Sequence, residues 1–576
     1  MSKTPRGAIR CERRNSSSPR YHQGVKWAIW VFVALGAIGV ALSSVALFIA
    51  GIGWDATFVT QASSFARAVD PSMSLQAAYE SVPNTNEFYG ILADQLADLL
   101  HTAFTGSTLP LTPYDPNTYV WLGAVNIAMS AVAAASMGMA VSFALRSKLA
   151  GAFTWAALQT YPWWLGMSHV NNRDIPVAAG LTMLSSGLVI SWADREGSGR
   201  LGSKRGVILG TLVASIGAAM ALATRAGSFV LLVAVVIGFS LVLIVAQYWL
   251  RDPKRLIAPA ITSAVAVPFA MAFCWVTDPI ARISLLHWLY DSLLYSRGQF
   301  TWVVLMRTNG VDVPSNEIPW WYIPIWLLAQ MPVLLILLAV LGLIVVLMAT
   351  FRKRRSSTPA ALNRQELLAI TPFAVQGFGI PVAMIFAHVQ LYDGVRHLLF
   401  VAPPVIVLCA FPIVWFERRN TPLFRGRIRV SGRVTAISIG MLVVLASLWG
   451  VARWYPYAYA FINPIAGQNH AERNWDLDYW GVSAREGIEQ LKNLGIAPIV
   501  VVPHGEPGRP YGGQTFGPPD SSIVNADPGF SPVAGEPFGY YWFERFDFPF
   551  PDYECTEKFS ISRDGHTIGR GGVCIP

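Results

Sequence analysis

Long apolar runs constrain this chain more than any other feature of its sequence. Each is about 20 residues long, the length that an α-helix needs to cross a bilayer core. Charged residues make up only 13% of the chain, against about 25% in a soluble protein. The sequence therefore predicts an α-helical polytopic membrane protein. Eleven spans are expected, at residues 27–53, 118–145, 149–167, 175–193, 206–223, 227–249, 257–276, 320–349, 367–388, 398–416 and 434–452.

Lysine and arginine residues are distributed unevenly between the predicted loops. With the N-terminus in the cytoplasm, the short inside segments hold 27 of them and the outside loops before residue 453 hold 7. The positive-inside rule explains this bias, so the net charge of +9 predicts no nucleic-acid partner. We expect a multi-pass plasma-membrane protein with a disordered cytoplasmic tail (1–26), a transmembrane domain (27–453) and an extracytoplasmic domain (454–576).

The C-terminal segment differs in composition from the spans. It is rich in Pro, Gly and aromatic residues, and "APIVVVPHG" predicts a strand in a small α/β domain. Cys555 and Cys574 would form a disulfide on an oxidising side of the membrane; two free thiols are the alternative. Cys274 and Cys409 lie in apolar runs and are expected to be packing residues.

Two outside loops, 54–117 and 277–319, are long. In the first, apolar residues recur at helical spacing in "GWDATFVTQASSFARAVD" and in "NEFYGILADQLADLLHTAF". This pattern predicts two amphipathic helices that lie on the membrane surface.

Ionisable residues gather where the spans meet the outside. The stretch "HVNNRDIP" follows the third predicted span directly. The residues expected at this level are Asp55, Arg173, Asp174, Arg225, Arg396 and Asp478. A transporter tends to place such residues near the midplane, on broken helices. The pattern therefore favours a cavity that opens to the outer leaflet and offers both carboxylates and guanidinium groups.

The order of these features resembles the GT-C superfamily of integral-membrane glycosyltransferases, and most closely the protein O-mannosyltransferase-like family, glycosyltransferase family 39. It comprises an acid after the first span, two surface helices, "HVNNRDIP", a large loop ending in "PWWYIP", then "YDGVRHLLF" and "DLDYWGVS". The likeness runs along most of residues 27–490. It implies a GT-C-like bundle that transfers a sugar from a polyprenyl-phosphate donor to a protein, lipid or glycan acceptor outside the cytoplasm.

The resemblance also implies roles for individual residues. Asp55 takes the place of the acid that acts as general base or orients the acceptor, although many relatives have an Asp-Glu pair where this chain has "WDAT". Asp174 is the second catalytic candidate. The expected donor-phosphate ligands are Arg396, His397, Arg225 and Arg173, since the guanidinium fork suits phosphate. The expected substrate-binding residues are Asn171, Asn172, Tyr392, Asp393, Asp478, Tyr479 and Trp480.

Simpler roles stay open for several of these residues. Asp55 and Asp174 are also suited to cap helices, and the arginines and His397 to anchor spans at the interface. Tyr479 and Trp480 would serve equally to pack the tail on the membrane domain. No cofactor is certain; no metal ligands are assigned, and a divalent ion, Mg or Mn, is left open. A transporter or flippase of a lipid-linked or amphipathic substrate is the alternative function.

Overall fold

The computed structural model describes residues 19–53, 60, 63–82, 89–111, 116–193, 199–250, 256–294, 303–351, 362–419, 430–468, 470–502, 523–525, 535–545 and 550–576. Over these residues the chain is mainly helical, with a small sheet near the C-terminus. The predicted class is confirmed: this is an α-helical polytopic membrane protein with a small C-terminal α/β domain.

Long apolar helices form the membrane domain, and nine helices in the described part of the chain are long and apolar enough to cross a bilayer. The elements up to residue 454 are α1 (Pro19–Ile49), α2 (Leu75–Ser81), α3 (Leu92–Thr105), α4 (Pro116–Ala144), α5 (Lys148–Gln159), α6 (Pro162–Val170), α7 (Asp174–Ala193), α8 (Gly199–Leu222), α9 (Ser228–Leu250), α10 (Ile257–Thr277), α11 (Pro279–Ile283), α12 (Leu285–Leu294), β1 (Leu305–Thr308), β2 (Val311–Pro314), α13 (Tyr322–Ala329), α14 (Val333–Phe351), α15 (Arg364–Ala369), α16 (Thr371–Ala374), a π-helical turn (Val375–Gly379), α17 (Ile380–Phe386), a 3₁₀ turn (Arg396–Val401), α18 (Ala402–Glu417) and α19 (Gly432–Trp454).

Three of the predicted spans are not single helices, so the prediction of one continuous helix for each is wrong. They are 149–167, 367–388 and 320–349, the last of which is divided into α13 and α14. The first is divided into α5 and α6, because Pro162 has no N–H with which to continue the hydrogen bonding of α5. The second consists of α15, α16, the π-helical turn and α17. Pro372 and Pro381 stand in the first turns of α16 and α17, where a missing N–H costs least.

Helix α7 lies at the centre of the bundle. Its residues from Asp174 to Trp192 are all buried. It packs closely against α8: a Cβ atom on Gly180 would lie 2.4 Å from the carbonyl oxygen of Gly217. Small residues allow helix backbones to approach in this way within a membrane. The first residue of this central helix, Asp174, is therefore held in a fixed place at one end of the bundle, which we call the Asp174 end.

The first long loop contributes the short helices α2 and α3. Helix α3 lies where the second surface helix is predicted. One of its faces, with Ala93 and Ala97, is buried against the protein, and the apolar side chains of Leu99 and Phe104 of this helix are 63% and 78% exposed. The first predicted surface helix begins within residues 54–59, which lie outside the described residues. Of its later part, residues 63–67 are helical. The second long loop forms α11, α12 and the β1–β2 hairpin.

A five-stranded sheet follows the last span. The elements of the chain after residue 454 are a 3₁₀ turn (Ala458–Ala460), α20 (Ala471–Asn474), α21 (Ala484–Asn493), β3 (Ile499–Val502), β4 (Ile523–Asn525), β5 (Phe538–Phe543), β6 (Glu554–Arg563) and β7 (His566–Ile575). The strand order is β4-β3-β5-β7-β6, with β3 parallel to both neighbours. Cys555 on β6 and Cys574 on β7 are cross-strand partners joined in a disulfide. Tyr541 and Phe543 of β5 belong to the same apolar core as the membrane helices.

Candidate functional site

The turn between α6 and α7 builds the centre of the site. The side-chain oxygen of Asn171 accepts hydrogen bonds from the backbone N–H groups of Arg173 (3.0 Å) and Asp174 (2.7 Å). Its amide nitrogen donates to the Asp174 carboxylate at 2.8 Å. Asn171 thus caps α7 and orients the carboxylate at the same time, a role that the short Asn side chain favours at helix starts.

Asp174 joins two arginines that come from distant parts of the chain. Nη1 of Arg225, between α8 and α9, donates to one carboxylate oxygen at 2.9 Å. Nη1 of Arg396, before α18, lies 3.4 Å from the other. The ends of three apolar helices therefore meet in one buried ion cluster. The sequence expectation that Asp174, Arg225 and Arg396 lie together is what the structure shows, and Asp174 does not pair with its neighbour Arg173.

Arg173 points instead toward the first long loop. It donates to the carbonyl oxygen of Gly90 and lies 3.9 Å from the carboxylate of Asp94 on α3. Burial raises the pKa of Asp94, and the Arg173 charge lowers it. Tyr89 connects this pair with the main cluster, because the guanidinium groups of Arg173 and Arg225 lie 5.5 and 5.1 Å from its ring centre. Tyr89 and Asp94 are site residues that sequence reasoning missed.

Arg396 is enclosed on all sides by the "YDGVRH" stretch and the chain after α19. Its guanidinium group stacks on the rings of Tyr392 (4.7 Å) and Trp480 (5.1 Å), and Nε lies 3.4 Å from Asp393. The ring of His397 packs edge-on against Tyr392 at 4.7 Å. The side chain of Arg396 is only 4% exposed, so its main contacts are with Asp174 and Asp393, which it connects.

The ion cluster continues into the C-terminal domain. Arg545, just after β5, lies 3.6 Å from the carboxylate of Asp393 and 3.6 Å from that of Asp476. It also donates to the carbonyl oxygen of Tyr479 at 2.8 Å. Burial raises the pKa of Asp476 to about 6; Arg545 lowers it and the nearby Asp393 charge raises it again. Alternating charges thus run from Arg225 through Asp174, Arg396, Asp393 and Arg545 to Asp476.

Sequence reasoning missed Arg545, and of the two aspartates in "DLDYW" it selected Asp478 rather than Asp476. Asp476 belongs to the ion cluster, whereas Asp478 is used in a turn. The Asp478 carboxylate accepts hydrogen bonds from the N–H groups of Val482 (2.9 Å) and Ser483 (3.1 Å) and from the hydroxyl of Tyr459. A group so fully engaged within the chain has little left for a substrate. Nothing in the local sequence near Arg545 distinguishes it from a surface arginine.

The remaining predicted substrate residues are divided between two places. Trp480 stacks on Arg396 and contacts Gly53, where a Cβ atom would lie 2.5 Å from its ring. Tyr479 is buried against Tyr459, with ring centres 5.3 Å apart. For these two aromatic residues the structure therefore favours packing of the tail. Asn172 is turned away from the ion cluster and lines a separate crevice.

The catalytic candidate Asp55 lies outside the described residues. The chain is described up to Gly53, which contacts Trp480 beside the ion cluster. No three His, Cys, Asp or Glu side chains come together as a metal site in the described part of the chain. Among the described carboxylates at this end, those of Asp174 and Asp393 are each engaged with two guanidinium groups.

No protein-family model and no curated protein sequence matches this chain. Its fold is similar to that of ArnT from Cupriavidus metallidurans bound to undecaprenyl phosphate, at 12% identity and a TM-score of 0.46, over 94% of this chain and 98% of the other. It is also similar to archaeal AglB from Archaeoglobus fulgidus with an inhibitory peptide and a dolichol-phosphate, at 12% identity and a TM-score of 0.44, over 75% of this chain and 55% of the other.

The second of these proteins is an archaeal oligosaccharyltransferase. The comparison does not single out the O-mannosyltransferase-like family that the sequence resembles. Overall likenesses of this size leave the function to be argued from the geometry of the site.

Proposed function

We propose that this protein is a glycosyltransferase that moves a sugar from a polyprenyl-phosphate donor to an acceptor at the extracytoplasmic face of the membrane. The observation that carries the proposal is the convergence of Arg225 and Arg396 on Asp174 at the ends of apolar helices. The phosphate of a membrane-embedded polyprenyl chain lies at this depth, and paired guanidinium groups are well suited to hold it.

Arg225 is the arginine that a donor phosphate reaches most easily. Its side chain is 25% exposed, whereas those of Arg173 and Arg396 are 6% and 4% exposed. Nη2 of Arg225 also donates a hydrogen bond of 3.1 Å to the hydroxyl of Tyr89. In this proposal Arg225 contacts the phosphate directly, and Arg396 supports it through the shared carboxylate of Asp174.

Asp174 acts by positioning rather than by accepting a proton. A carboxylate held by two guanidinium groups is stabilised in its ionised form and is a weak base. The transfer needs a base for the acceptor hydroxyl, and the phosphate is a good leaving group that needs charge stabilisation more than protonation. We assign the base or acceptor-orienting role to Asp55, on the sequence resemblance.

The orientation follows from the distribution of basic residues. The Asp174 end of the bundle is the end away from the Lys- and Arg-rich short loops, so we place it and the C-terminal sheet outside the cytoplasm of a cell-membrane protein. A reporter enzyme active only in the cytoplasm, fused after Pro576, should give no signal. Full activity of that fusion would reverse the topology and remove the proposed face of the reaction.

The function is tested with purified protein in liposomes. Undecaprenyl-phosphate hexoses and pentoses with radiolabelled sugars are supplied together with candidate protein, lipid and glycan acceptors. We expect the label to move to one acceptor class and free undecaprenyl phosphate to appear in equal amount, with an Arg225→Ala variant as the matched control. Movement of labelled donor between leaflets without sugar transfer would instead establish the flippase alternative.

A further inference from the structure

A second site lies beside the ion cluster, at the same end of the bundle. It is a crevice of about 270 Å³ between the end of α1, the start of α4, the end of α6 and α21. Asn126 and Asn172 line its inner part and Arg485 lines its rim. The turn after α6 therefore serves two places, since Asn171 and Asp174 belong to the ion cluster and Asn172 to the crevice.

Two buried amides in this crevice have polar atoms that the chain does not satisfy. Asn126 is 1% exposed and Asn172 is 4% exposed. Oδ1 of Asn126 and Nδ2 of Asn172 have no hydrogen-bond partner among the described residues. A buried polar atom without a partner is energetically unfavourable. A ligand hydroxyl group both donates and accepts a hydrogen bond, so it could satisfy one such acceptor and one such donor.

The crevice carries no net charge. The guanidinium group of Arg485 is paired with Glu489 at 3.0 Å, one helical turn away, and it donates to the carbonyl oxygen of Ala50 at 3.3 Å. This differs from the ion cluster, in which two guanidinium groups share the one carboxylate of Asp174. An anionic ligand would gain little here, and a neutral ligand with hydroxyl groups fits better.

The walls nearest the membrane are apolar. Leu47 and Leu122 line the crevice, and Phe48 and Ile49 at the end of the first span are 61% and 45% exposed. Lipid chains would lie along such a surface. The volume is just below the roughly 300–1,000 Å³ of typical ligand pockets, which suits one sugar ring or a glycerol unit.

We propose that this crevice binds the neutral, hydroxyl-bearing head group of a membrane lipid, with the lipid chains along α1 and α4. Asn126 and Asn172 would hydrogen-bond the hydroxyl groups, and the Arg485–Glu489 pair would close the rim. The proposal does not depend on the glycosyltransferase function, because it rests on a cavity that the ion cluster does not share.

Lipid retention measured by native mass spectrometry tests the proposal. The protein is reconstituted in nanodiscs with equal amounts of monoglucosyl diacylglycerol, phosphatidylcholine and phosphatidylglycerol of identical acyl chains. We expect the released protein to retain the glucosyl lipid preferentially. An Asn126→Leu/Asn172→Leu variant should lose this preference by roughly tenfold, the equivalent of two hydrogen bonds.

Phe143→Leu is the matched control, because Phe143 is 42% exposed at the opposite end of α4. It should retain the glucosyl lipid as the unmodified chain does. If the double variant does not fold, Asn126→Ala alone should still reduce the preference. Equal retention of all three lipids, preference for phosphatidylglycerol, or unchanged retention by a folded amide variant would overturn the proposal.

Discussion

The guanidinium group of Arg545 lies 3.6 Å from the carboxylate of Asp393, so a residue of the C-terminal sheet completes the ion cluster of the membrane domain. Both side chains are almost fully buried, at 4% and 2% exposure. Removal of one partner from a buried ion pair leaves the other charge uncompensated, at a cost of roughly 3–5 kcal/mol. We expect Arg545→Ala to lower the thermal stability of the purified protein accordingly.

The double variant Arg545→Met/Asp393→Asn separates this pairing from simple loss of packing. It removes both charges and keeps much of the volume, so it should be more stable than Arg545→Ala. The matched control is Arg485→Ala, which disrupts an exposed ion pair worth about 0–1 kcal/mol. Equal unfolding temperatures for Arg545→Ala and Arg485→Ala would show that the contact does not join the two domains.

Asp174→Asn should reduce sugar transfer strongly. The substitution keeps the shape of the side chain but leaves Arg225 and Arg396 without their shared counter-charge. Displacement of a binding group by about 1 Å can cost on the order of 100-fold in rate. The check is single-turnover transfer at saturating donor with matched amounts of folded protein. Normal turnover would mean that other contacts place the two arginines.

Arg225 and Arg396 should respond differently to substitution. Arg225→Ala is expected to weaken donor use by roughly 10- to 100-fold, the value of a charged hydrogen bond, and Arg225→Lys should retain part of it because it keeps the charge. Arg396→Ala should mainly lower stability, since Arg396 is buried between Asp174 and Asp393. Measurement of transfer against donor concentration, with unfolding temperatures beside it, distinguishes the two. An unchanged donor dependence for Arg225→Ala would make Arg225 an interfacial anchor.

Asp55→Asn tests the residue that the sequence resemblance selects as base. It preserves much of the capping ability of Asp while it removes the charge. Loss of a general base lowers turnover by roughly 10²–10⁴-fold, with the donor dependence unaffected. The same measurement on Asp70→Asn, an exposed aspartate of the same loop, supplies the control. Full transfer by folded Asp55→Asn would exclude it as the base.

The stability of the protein should depend on pH through Asp476. Burial raises its folded-state pKa to about 6 from 3.8. Between about pH 4 and 6, the folded state therefore retains a proton that the unfolded state has lost. Stability from this group is therefore present at low pH and decreases as pH rises through 6. Relative to Asp476→Asn, the unmodified chain should lose about 2 kcal/mol between pH 4.5 and 7. A pH-independent difference between the two would contradict the assignment.

Several features of the fold follow from local sequence alone. A run of about 20 apolar residues satisfies its own backbone hydrogen bonds only as a helix in a bilayer, so the span positions are evident without any tertiary information. The amphipathic spacing of α3 and the proximity of Cys555 to Cys574 in the chain are likewise local signals. The prolines within the divided spans, such as Pro162 between α5 and α6, are visible in the sequence too. Hydropathy averages over them, and for that reason three spans were expected to be continuous.

The sequence by itself predicted that ionisable residues gather at one end of the bundle, because charges are costly in lipid and lie at the ends of spans. It therefore placed Asp174, Arg225 and Arg396 at the same level. Only the tertiary structure decided how they are paired, since each partner comes from a distant part of the chain. The choice of Asp476 over Asp478 depends on Arg545 after β5, and the division of Asn171 and Asn172 between two sites depends on how α7 packs. Ion pairs and cavities are products of packing, and a single sequence carries no local signal for them.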